Sequence, residues 1–293
     1  MMRKFFLFSL VGFVCYNLIA ANPMMHASSH QNNRNAVNKN AVKINNYQAY
    51  LVLNATTGKI LEGKHARLKW PPASLTKLML AYLVMEKVYK AELKLSDPIK
   101  VSREAAGMGG SQVYLKEGEV FALADLMRAT MIESANDAAY AIGEFVAGSK
   151  EEFIRLMNAT ARSLHMVDTE FHSLHGLPPS RGQIADVTTC RDLSILSRKL
   201  LKYPKILEWT SVRRDRFRNG TFFMTSANRL LSKMPEVDGL KTGYYRRAGH
   251  NIVATAKKED LRLLVIVLGS PTAGIRNAFV MQKFKKYFSQ QNQ

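Results

Sequence analysis

Apolar and polar positions change their spacing twice along the chain, which predicts strands at both ends and helices in the middle. Continuous or alternating apolar runs bounded by turn residues predict β-strands at residues 47–53, 59–62, 217–224, 250–255 and 261–268. Apolar residues three and four positions apart predict helices at residues 121–132, 138–147, 150–164, 188–201 and 272–288. The run 261–268 is apolar at every position except Arg262, as expected of a buried strand.

This order of elements predicts an α+β fold. The strands from the two ends would form one antiparallel sheet flanked by helices, and residues 90–207 would form an inserted, mainly helical lobe. A cleft between the sheet and the lobe is where we expect a site. The 293 residues are enough for a substantial core, and the composition is that of a globular protein.

The first residues are typical of a secretory signal peptide. Arg3 and Lys4 precede an apolar run from 5 to 19, and two small residues follow that run. We therefore expect residues 1–21 to direct export to the periplasm or the outer face of the cytoplasmic membrane. The run is short for a membrane span, but the sequence leaves open whether it is cleaved or kept as an anchor.

A spacer and a single domain are expected after the signal peptide. Residues 22–46 are rich in asparagine and predict a flexible spacer, which leaves residues 47–289 for the folded domain. Cleavage would remove Cys15 and leave Cys190 alone. The exported protein would then have no internal disulfide, so its stability must come from a packed core.

The chain is strongly basic, with a formal net charge of +19. A nucleic-acid-binding protein could carry such a charge, but no zinc-ligand spacing, RNA-stacking motif or recognition-helix pattern accompanies it. In an exported protein, anionic wall polymers and phospholipid headgroups are the expected peripheral partners. A solvated surface with scattered charges is the alternative.

Ser74 and Lys77 lie where a proline-rich loop leads into an apolar-periodic run. They are three residues apart, so on a helix their side chains would be neighbours on one face. A desolvated lysine flanked by other cations can be neutral enough to take the proton of a serine hydroxyl. An N-cap serine followed by an exposed lysine is the competing interpretation of this pair, because the spacing alone is common.

A second candidate segment is formed by Lys241, Thr242 and Gly243. On an edge strand beside the cleft, the lysine would supply a cation for an anionic substrate group and the threonine a hydroxyl donor. The glycine would let a substrate backbone approach closely. A polar turn between strands is the alternative.

Ser134 and Asn136 form a third candidate segment, between two predicted helices. The hydroxyl could relay a proton and the amide could bind a substrate, although helix capping is the alternative. The same spacing recurs at Ser226 and Asn228. That copy lies close before the lysine–threonine–glycine segment and on the wrong side of the cleft to face it, so we do not assign it to the site.

Taken in this order, the three segments resemble the motif set of β-lactamases and penicillin-binding proteins. The chain more closely resembles the low-molecular-mass penicillin-binding proteins that act as serine D-alanyl-D-alanine carboxypeptidases. The likeness runs from residue 47 to residue 288. The segments that carry it are 72–79, 134–139, 169–177, 237–243 and 248–254.

The resemblance implies a β-lactamase/transpeptidase-like fold and an acyl-enzyme mechanism on a peptidoglycan stem peptide. Ser74 would attack the carbonyl between two D-alanines, with Lys77 as base, and Ser134 would relay a proton to the leaving amine. The N–H of Ser74 and one from the strand just after Gly243 would bind the oxyanion. β-Lactam antibiotics would acylate the same serine.

Substrate-binding roles also follow from the resemblance. Asn136 would hold the substrate amide, and Lys241 and Thr242 would bind the terminal carboxylate. Arg276, at the start of the final helix, resembles an arginine that the family uses near that carboxylate. No cofactor or metal is implied. His172 and His175 have a ligand-like spacing, but no third ligand group accompanies them.

Several features depart from the family pattern or leave alternatives open. Tyr244 stands where the carboxypeptidases often have histidine, which leaves fine substrate preference open. The family's small β-rich domain and anchoring tail are not expected after residue 288. D,D-endopeptidase activity on cross-links is one alternative. A β-lactamase is another, but Glu170 lacks the asparagine expected four residues later. A wall-binding protein with a dead site is disfavoured because all motif side chains are present.

Overall fold

The computed structural model of the chain describes residues 47–290. The predicted export segment 1–21 and spacer 22–46 lie outside these residues.

A five-stranded antiparallel sheet forms the centre of the fold, with strand order β2-β1-β9-β8-β7. Strands from both ends of the chain therefore share one sheet, as the sequence predicted. β1 pairs with β9 along the whole length of β1, and β7 lies at the edge opposite β2. The strands are β1 (Ala49–Asn54), β2 (Ile60–Lys64), β7 (Val237–Tyr245), β8 (Gly249–Lys258) and β9 (Leu261–Ser270).

Helices cover both faces of this sheet, which explains why β9 is continuously apolar from Leu263 to Leu268. Leu264 and Ile266 face a core shared with the helices of the lobe, whereas Val265 and Val267 face the final helix. All four side chains are fully buried. Each apolar residue of the strand therefore contributes to one of two cores, at a stabilisation of about 2 kcal/mol for a side chain of this size.

The helical part contains seven helices between β2 and β7, and one helix follows β9. Two helices of the stretch predicted as a lobe, α6 and α7, pack against the sheet, α6 on β1 and β9 and α7 on β7. The helices are α1 (Lys77–Tyr89), α2 (Arg103–Ala106), α3 (Leu123–Ile132), α4 (Asn136–Ala147), α5 (Lys150–Ser163), α6 (Cys190–Leu200), α7 (Pro204–Thr210) and α8 (Ala273–Ser289).

Two small two-stranded sheets, β3-β4 and β5-β6, lie apart from the central sheet, and the second corrects a sequence prediction. The single strand predicted at 217–224 is wrong, because the chain turns back at Asn219-Gly220. Both residues have positive φ, which this residue pair adopts more readily than most and which suits a tight turn. The small strands are β3 (Pro98–Lys100), β4 (Val120–Ala122), β5 (Arg214–Phe217) and β6 (Phe222–Thr225).

α8 covers the outer face of the sheet. Its buried face includes Phe279, Val280 and Phe284, which pack on the strands. α8 is therefore a helix that covers the sheet and contributes to the second core. No helix within residues 47–290 combines the length and the apolar character needed to cross a membrane.

Candidate active site

Ser74 lies in a short 3₁₀ helix, Ala73–Thr76, immediately before α1. The sequence predicted that Ser74 and Lys77 share one helix, and the structure corrects this, since the α-helix begins only at Lys77. The approach to Ser74 is strained, because Ala73 has φ +51°, a conformation that costs energy for a residue with a Cβ. Ser74 is therefore held by the loop that precedes α1.

Lys77 is the largest fully buried side chain in the described structure. Its Nζ lies 3.2 Å from Ser74 Oγ, and it donates hydrogen bonds to Asn136 Oδ1 at 2.6 Å and to the His175 carbonyl at 2.8 Å. Burial lowers the pKa of Lys77 well below its ordinary value, and the positive charge of Lys241 lowers it further. The amine is therefore placed and tuned to accept a proton from Ser74.

A second lysine–serine pair faces the first across the cleft. Lys241 Nζ donates to Ser134 Oγ at 2.8 Å and to the Thr242 carbonyl at 3.0 Å. Burial lowers the pKa of Lys241 to about 7, and the nearby Arg276 guanidinium contributes in the same direction. Ser134 has φ +67°, so a strained loop between α3 and α4 presents its hydroxyl.

Asn136 links Lys77, on α1, to the loop of residues 107–110. It is the first residue of α4 and is 2% exposed. Its Oδ1 accepts the hydrogen bond from Lys77, and its Nδ2 donates to the Gly109 carbonyl at 2.6 Å. The amide therefore fixes the orientation of Lys77 and holds the 107–110 loop against it.

The edge strand β7 approaches the nucleophile closely at Gly243. A Cβ at this position would lie 2.7 Å from the Pro72 carbonyl oxygen and 3.0 Å from the Ser74 nitrogen. Only glycine leaves room for this packing. The packing consequently brings the strand that carries Lys241 and Thr242 against the segment that carries Ser74.

Arg276 is placed differently from the other predicted residues. Its guanidinium is 3% exposed and donates to the Asn251 carbonyl at 3.0 Å and to the Asn277 side chain. Burial lowers the pKa of Arg276 to about 10. The guanidinium of Arg276 therefore lies near Lys241, but its hydrogen bonds are made to Asn251 and Asn277.

Asn251 is a residue of the site to which the sequence motifs assign no role. It is fully buried, and its Nδ2 donates to the carbonyls of Pro71 and Pro72, while its Oδ1 accepts from the Gly269 N–H. The side chain thus ties the proline turn before Ser74 to β8 and β9. No local pattern marks this role, because the partners lie about 180 positions apart.

Two buried aspartates also went unassigned. Asp186 accepts hydrogen bonds from Thr76 Oγ1, Ser173 Oγ and the N–H groups of His172 and Ser173. It therefore fastens the loop that carries the His175 carbonyl to the helix turn that carries the nucleophile. Asp137 accepts from the N–H groups of residues 113, 115 and 138 and shapes the neighbouring loop in the same way. In the sequence, only the position of Asp137 directly after Asn136 indicated that it belongs to the site.

The remaining candidates from the sequence do not form a metal centre. Among residues 47–290 no group of three or more His, Cys, Asp and Glu is placed to hold a metal ion. Burial lowers the pKa of His175 to about 3, with the charges of Lys77 and Lys150 acting in the same direction, so this ring is neutral. Tyr244 is 59% exposed at the rim of the cleft and stacks on His250.

The arrangement has the parts needed for nucleophilic acyl transfer. A hydroxyl lies beside a buried amine whose pKa is lowered, a second hydroxyl lies beside a second buried lysine, and an edge strand borders both. A nucleophile activated by a neighbouring base, with a donor-lined strand next to it, is the geometry that such catalysis requires.

Comparisons with known proteins agree with this geometry. Residues 34–272 match the family model for D-alanyl-D-alanine carboxypeptidase. The chain is 37% identical to D-alanyl-D-alanine carboxypeptidase DacF of Bacillus subtilis over 82% of this chain and 61% of that protein. It is also 37% identical to DacC of Escherichia coli, over 78% of this chain and 58% of that protein.

A solved structure with the same fold is penicillin-binding protein D2 from Listeria monocytogenes in its ampicillin-bound form. It superposes with a TM-score of 0.74 at 32% identity, over 82% of this chain and 96% of that one. The chain spans about 60% of the length of the curated relatives it matches. The family match, the relatives and the shared fold show that the chain belongs to the D-alanyl-D-alanine carboxypeptidase family of serine peptidases, the low-molecular-mass penicillin-binding proteins.

Proposed function

We propose that this protein is a serine D-alanyl-D-alanine carboxypeptidase that removes the terminal D-alanine from peptidoglycan stem peptides. The observation that carries the proposal is the buried Lys77 amine 3.2 Å from Ser74 Oγ, in a cleft closed on its other side by Lys241 and Ser134. Family membership supports the same chemistry, since the matched relatives are named for it.

Acylation would start at the first lysine–serine pair. Lys77 Nζ takes the proton of Ser74 as Oγ attacks the carbonyl carbon between the two D-alanines. The N–H of Ser74 and an N–H from the strand just after Gly243 would stabilise the oxyanion. This role for the strand is supported by the close approach of Gly243 to the Ser74 nitrogen.

Collapse of the tetrahedral intermediate breaks the amide bond and needs a proton on the leaving amine. Ser134 is suited to relay it, because its hydroxyl accepts a hydrogen bond from Lys241 and faces the cleft. The departing D-alanine carries a carboxylate, for which Lys241 and Thr242 supply a cation and a hydroxyl. Arg276 would add long-range positive charge. Water then hydrolyses the ester and frees the shortened peptide and Ser74.

Asn136 would act on the substrate only after a rearrangement, because its Nδ2 already donates to the Gly109 carbonyl. In the structure, Asn136 instead positions Lys77. If a substrate amide replaced one of these hydrogen bonds, substrate binding would be coupled to the position of the loop of residues 107–110.

The same chemistry implies acylation by β-lactam antibiotics, as in the ampicillin-bound relative. Fast release of that adduct, as in a β-lactamase, is the less favoured function. Glu170 is exposed and lies 3.4 Å from His172 Nε2, whereas the group that contacts Lys77 from this loop is the carbonyl of His175. The lifetime of the penicilloyl adduct separates the two functions.

Export to the periplasm or the outer membrane face is part of the proposal, since the substrate lies outside the cytoplasm. Peripheral contact with anionic membrane or wall polymers is supported by the net charge of +19. Nucleic acid is not a proposed partner.

Product analysis tests the proposed function. The purified protein is incubated with a stem pentapeptide that ends in D-Ala-D-Ala, and the products are identified by mass spectrometry. We expect loss of one alanine residue and no shorter product. An intact pentapeptide, or a cut at another bond, would contradict the proposal.

A further inference from the structure

Glu133 lies between α3 and the loop that carries Ser134, and it has no part in the mechanism above. It caps the C-terminal end of α3 and directly precedes Ser134 in the chain. Its side chain is half-buried, so its carboxylate needs hydrogen-bond partners within the protein.

The partner of this carboxylate is a backbone group of the β5–β6 hairpin. The N–H of Thr225, the last residue of β6, donates to Glu133 Oε2 at 2.7 Å. Earlier on α3, Arg128 Nε donates to Asp215 of β5 at 3.0 Å. The hairpin therefore holds α3 at two points, and the second of them is adjacent to Ser134.

The same hairpin is also tied to the strand that carries Lys241. Asn228 lies three residues after the end of β6 and is 5% exposed, and its Nδ2 donates to the Gly239 carbonyl of β7 at 3.2 Å. This asparagine belongs to the repeated spacing that the sequence left outside the site. The segment from Thr225 to Asn228 thus joins the residue before Ser134 to a point on β7 two positions before Lys241.

Ser134 needs such support because its conformation is strained. Its φ of +67° lies in the left-handed region, which costs energy for a residue with a Cβ and persists only where surrounding contacts fix it. The hydrogen bond from Thr225 to Glu133 holds the residue before the turn, and the bond from Lys241 holds the hydroxyl itself. Loss of the first contact should let the Ser134 hydroxyl move away from Lys241.

The charge of Glu133 acts on Lys241 as well. Burial and the charge of Arg276 lower the pKa of Lys241 to about 7, and the carboxylate of Glu133 acts in the opposite direction. Lys77 is a second cation close to Lys241. Burial in turn raises the pKa of Glu133, while the Thr225 N–H and the charge of Lys241 act to lower it. Glu133 therefore favours the charged form of Lys241, which is the form that binds a carboxylate.

Other charged groups around β7 add little to this balance. The carboxylates on α7 and β7 are paired with cations at 2.8 Å, Glu208 with Lys205 and Asp238 with Arg262. Further groups on the neighbouring elements are exposed cations or a ring that burial keeps neutral by lowering its pKa, namely Arg229, Lys257 and His250. Removal of the Glu133 charge should therefore be felt at Lys241.

We propose that Glu133 is a positioning residue of the reaction, which holds the Ser134 hydroxyl on Lys241 through the β5–β6 hairpin and supplies the negative charge that keeps the Lys241 ammonium ready for the substrate carboxylate. It acts through these two residues and exchanges no proton with the substrate. This inference rests on the proposed function and adds a residue to it.

Two substitutions separate the two effects of Glu133. Glu133→Gln keeps an oxygen that can accept the Thr225 N–H and removes the charge, whereas Glu133→Ala removes both. The matched control is Glu92→Gln, which removes an exposed carboxylate beyond the end of α1, where it is paired with Lys87. Circular dichroism and urea unfolding check that each protein is folded.

The pH dependence of kcat/KM for a pentapeptide is then measured for each protein. Loss of the negative charge lowers the pKa of Lys241 further, so its ammonium is lost at a lower pH. We expect the alkaline decline of kcat/KM to shift to lower pH in both Glu133 variants, by about half a pH unit or more. On the acidic side of this decline, Glu133→Gln should keep kcat within about twofold of the wild type, whereas Glu133→Ala should lose about tenfold or more.

A merely structural role for Glu133 predicts a different result, because the glutamine variant would then keep the wild-type pH profile. An unshifted decline in Glu133→Gln, or a folded Glu133→Ala protein with the wild-type kcat, would overturn the proposal. The control should match the wild type at every pH. If the wild type leaves the pentapeptide intact, the proposed function fails instead. The rate of acylation by a fluorescent penicillin, which also carries a carboxylate, then tests Glu133 over the same pH range.

Discussion

Lys241 Nζ donates a hydrogen bond to Ser134 Oγ at 2.8 Å, although the two residues are 107 positions apart in the chain. The bond joins the edge of the sheet to the helical lobe across the cleft. It also brings a second buried cation close to Lys77, whose pKa is lowered by burial first and by Lys241 next. The protonation of Lys77 therefore depends on the charge of Lys241.

Lys77→Ala should remove the base that activates Ser74. We expect the rate of acylation by a fluorescent penicillin to fall by roughly a hundredfold or more. The control is Lys90→Ala, at the exposed end of the same helix, which should label at the wild-type rate. Rapid labelling of a folded Lys77→Ala protein would show that another group takes the proton.

The alkaline limb of the pH profile should report Lys241. Its pKa is lowered to about 7, so its ammonium is charged below that pH and neutral above it. If the cation binds the terminal carboxylate, kcat/KM for a pentapeptide should decline as the pH rises through about 7. Lys241→Arg keeps a cation and should shift the decline to higher pH. A profile that stays flat from about pH 6 to about pH 9 would contradict this role.

Gly243→Ala should separate β7 from the nucleophile. The new methyl group would lie 2.7 Å from the Pro72 carbonyl oxygen, so either the strand or the loop must move. Displacement of an oxyanion donor should lower kcat by about 10²–10³-fold. Gly274→Ala is the matched control, because a Cβ there meets only Thr272 Oγ1 at 3.7 Å. Equal kcat values for the two variants would show that the close approach at Gly243 does not matter.

Asn251→Ala should affect both stability and chemistry. It leaves two carbonyls and one N–H without their partner, at an expected loss of about 2–4 kcal/mol in the free energy of unfolding. Because the Pro71-Pro72 turn sets the position of Ser74, acylation of the folded protein should also slow. Asn54→Ala, which removes a turn-capping amide away from the cleft, should lower stability without slowing acylation. Unfolding by urea and the labelling rate at low temperature measure the two effects separately.

Local patterns in the sequence predicted most of the fold. The long elements were found because a buried strand and a half-buried helix each require a characteristic apolar spacing, as in β9 and α8. The β5–β6 hairpin was missed although Asn219-Gly220 is a strong turn signal, because the apolar residues on either side were taken as one run.

The site was predictable only in part, for a physical reason. Ser74 and Lys77 are local partners, and their spacing carries the chemistry. Asn251 and Asp186 act on segments that are distant in sequence, so no spacing reveals them.

The most direct test is to locate the covalent bond. The wild-type protein and Ser74→Ala are incubated with a fluorescent penicillin, and the labelled peptide is mapped by mass spectrometry after digestion. We expect one adduct on the wild type, carried by the peptide that contains Ser74, and none on the variant. Full labelling of Ser74→Ala, or an adduct on another residue of the wild type, would contradict the central claim. That claim is that the segments carrying Lys77, Ser134 and Lys241 converge on the Ser74 hydroxyl.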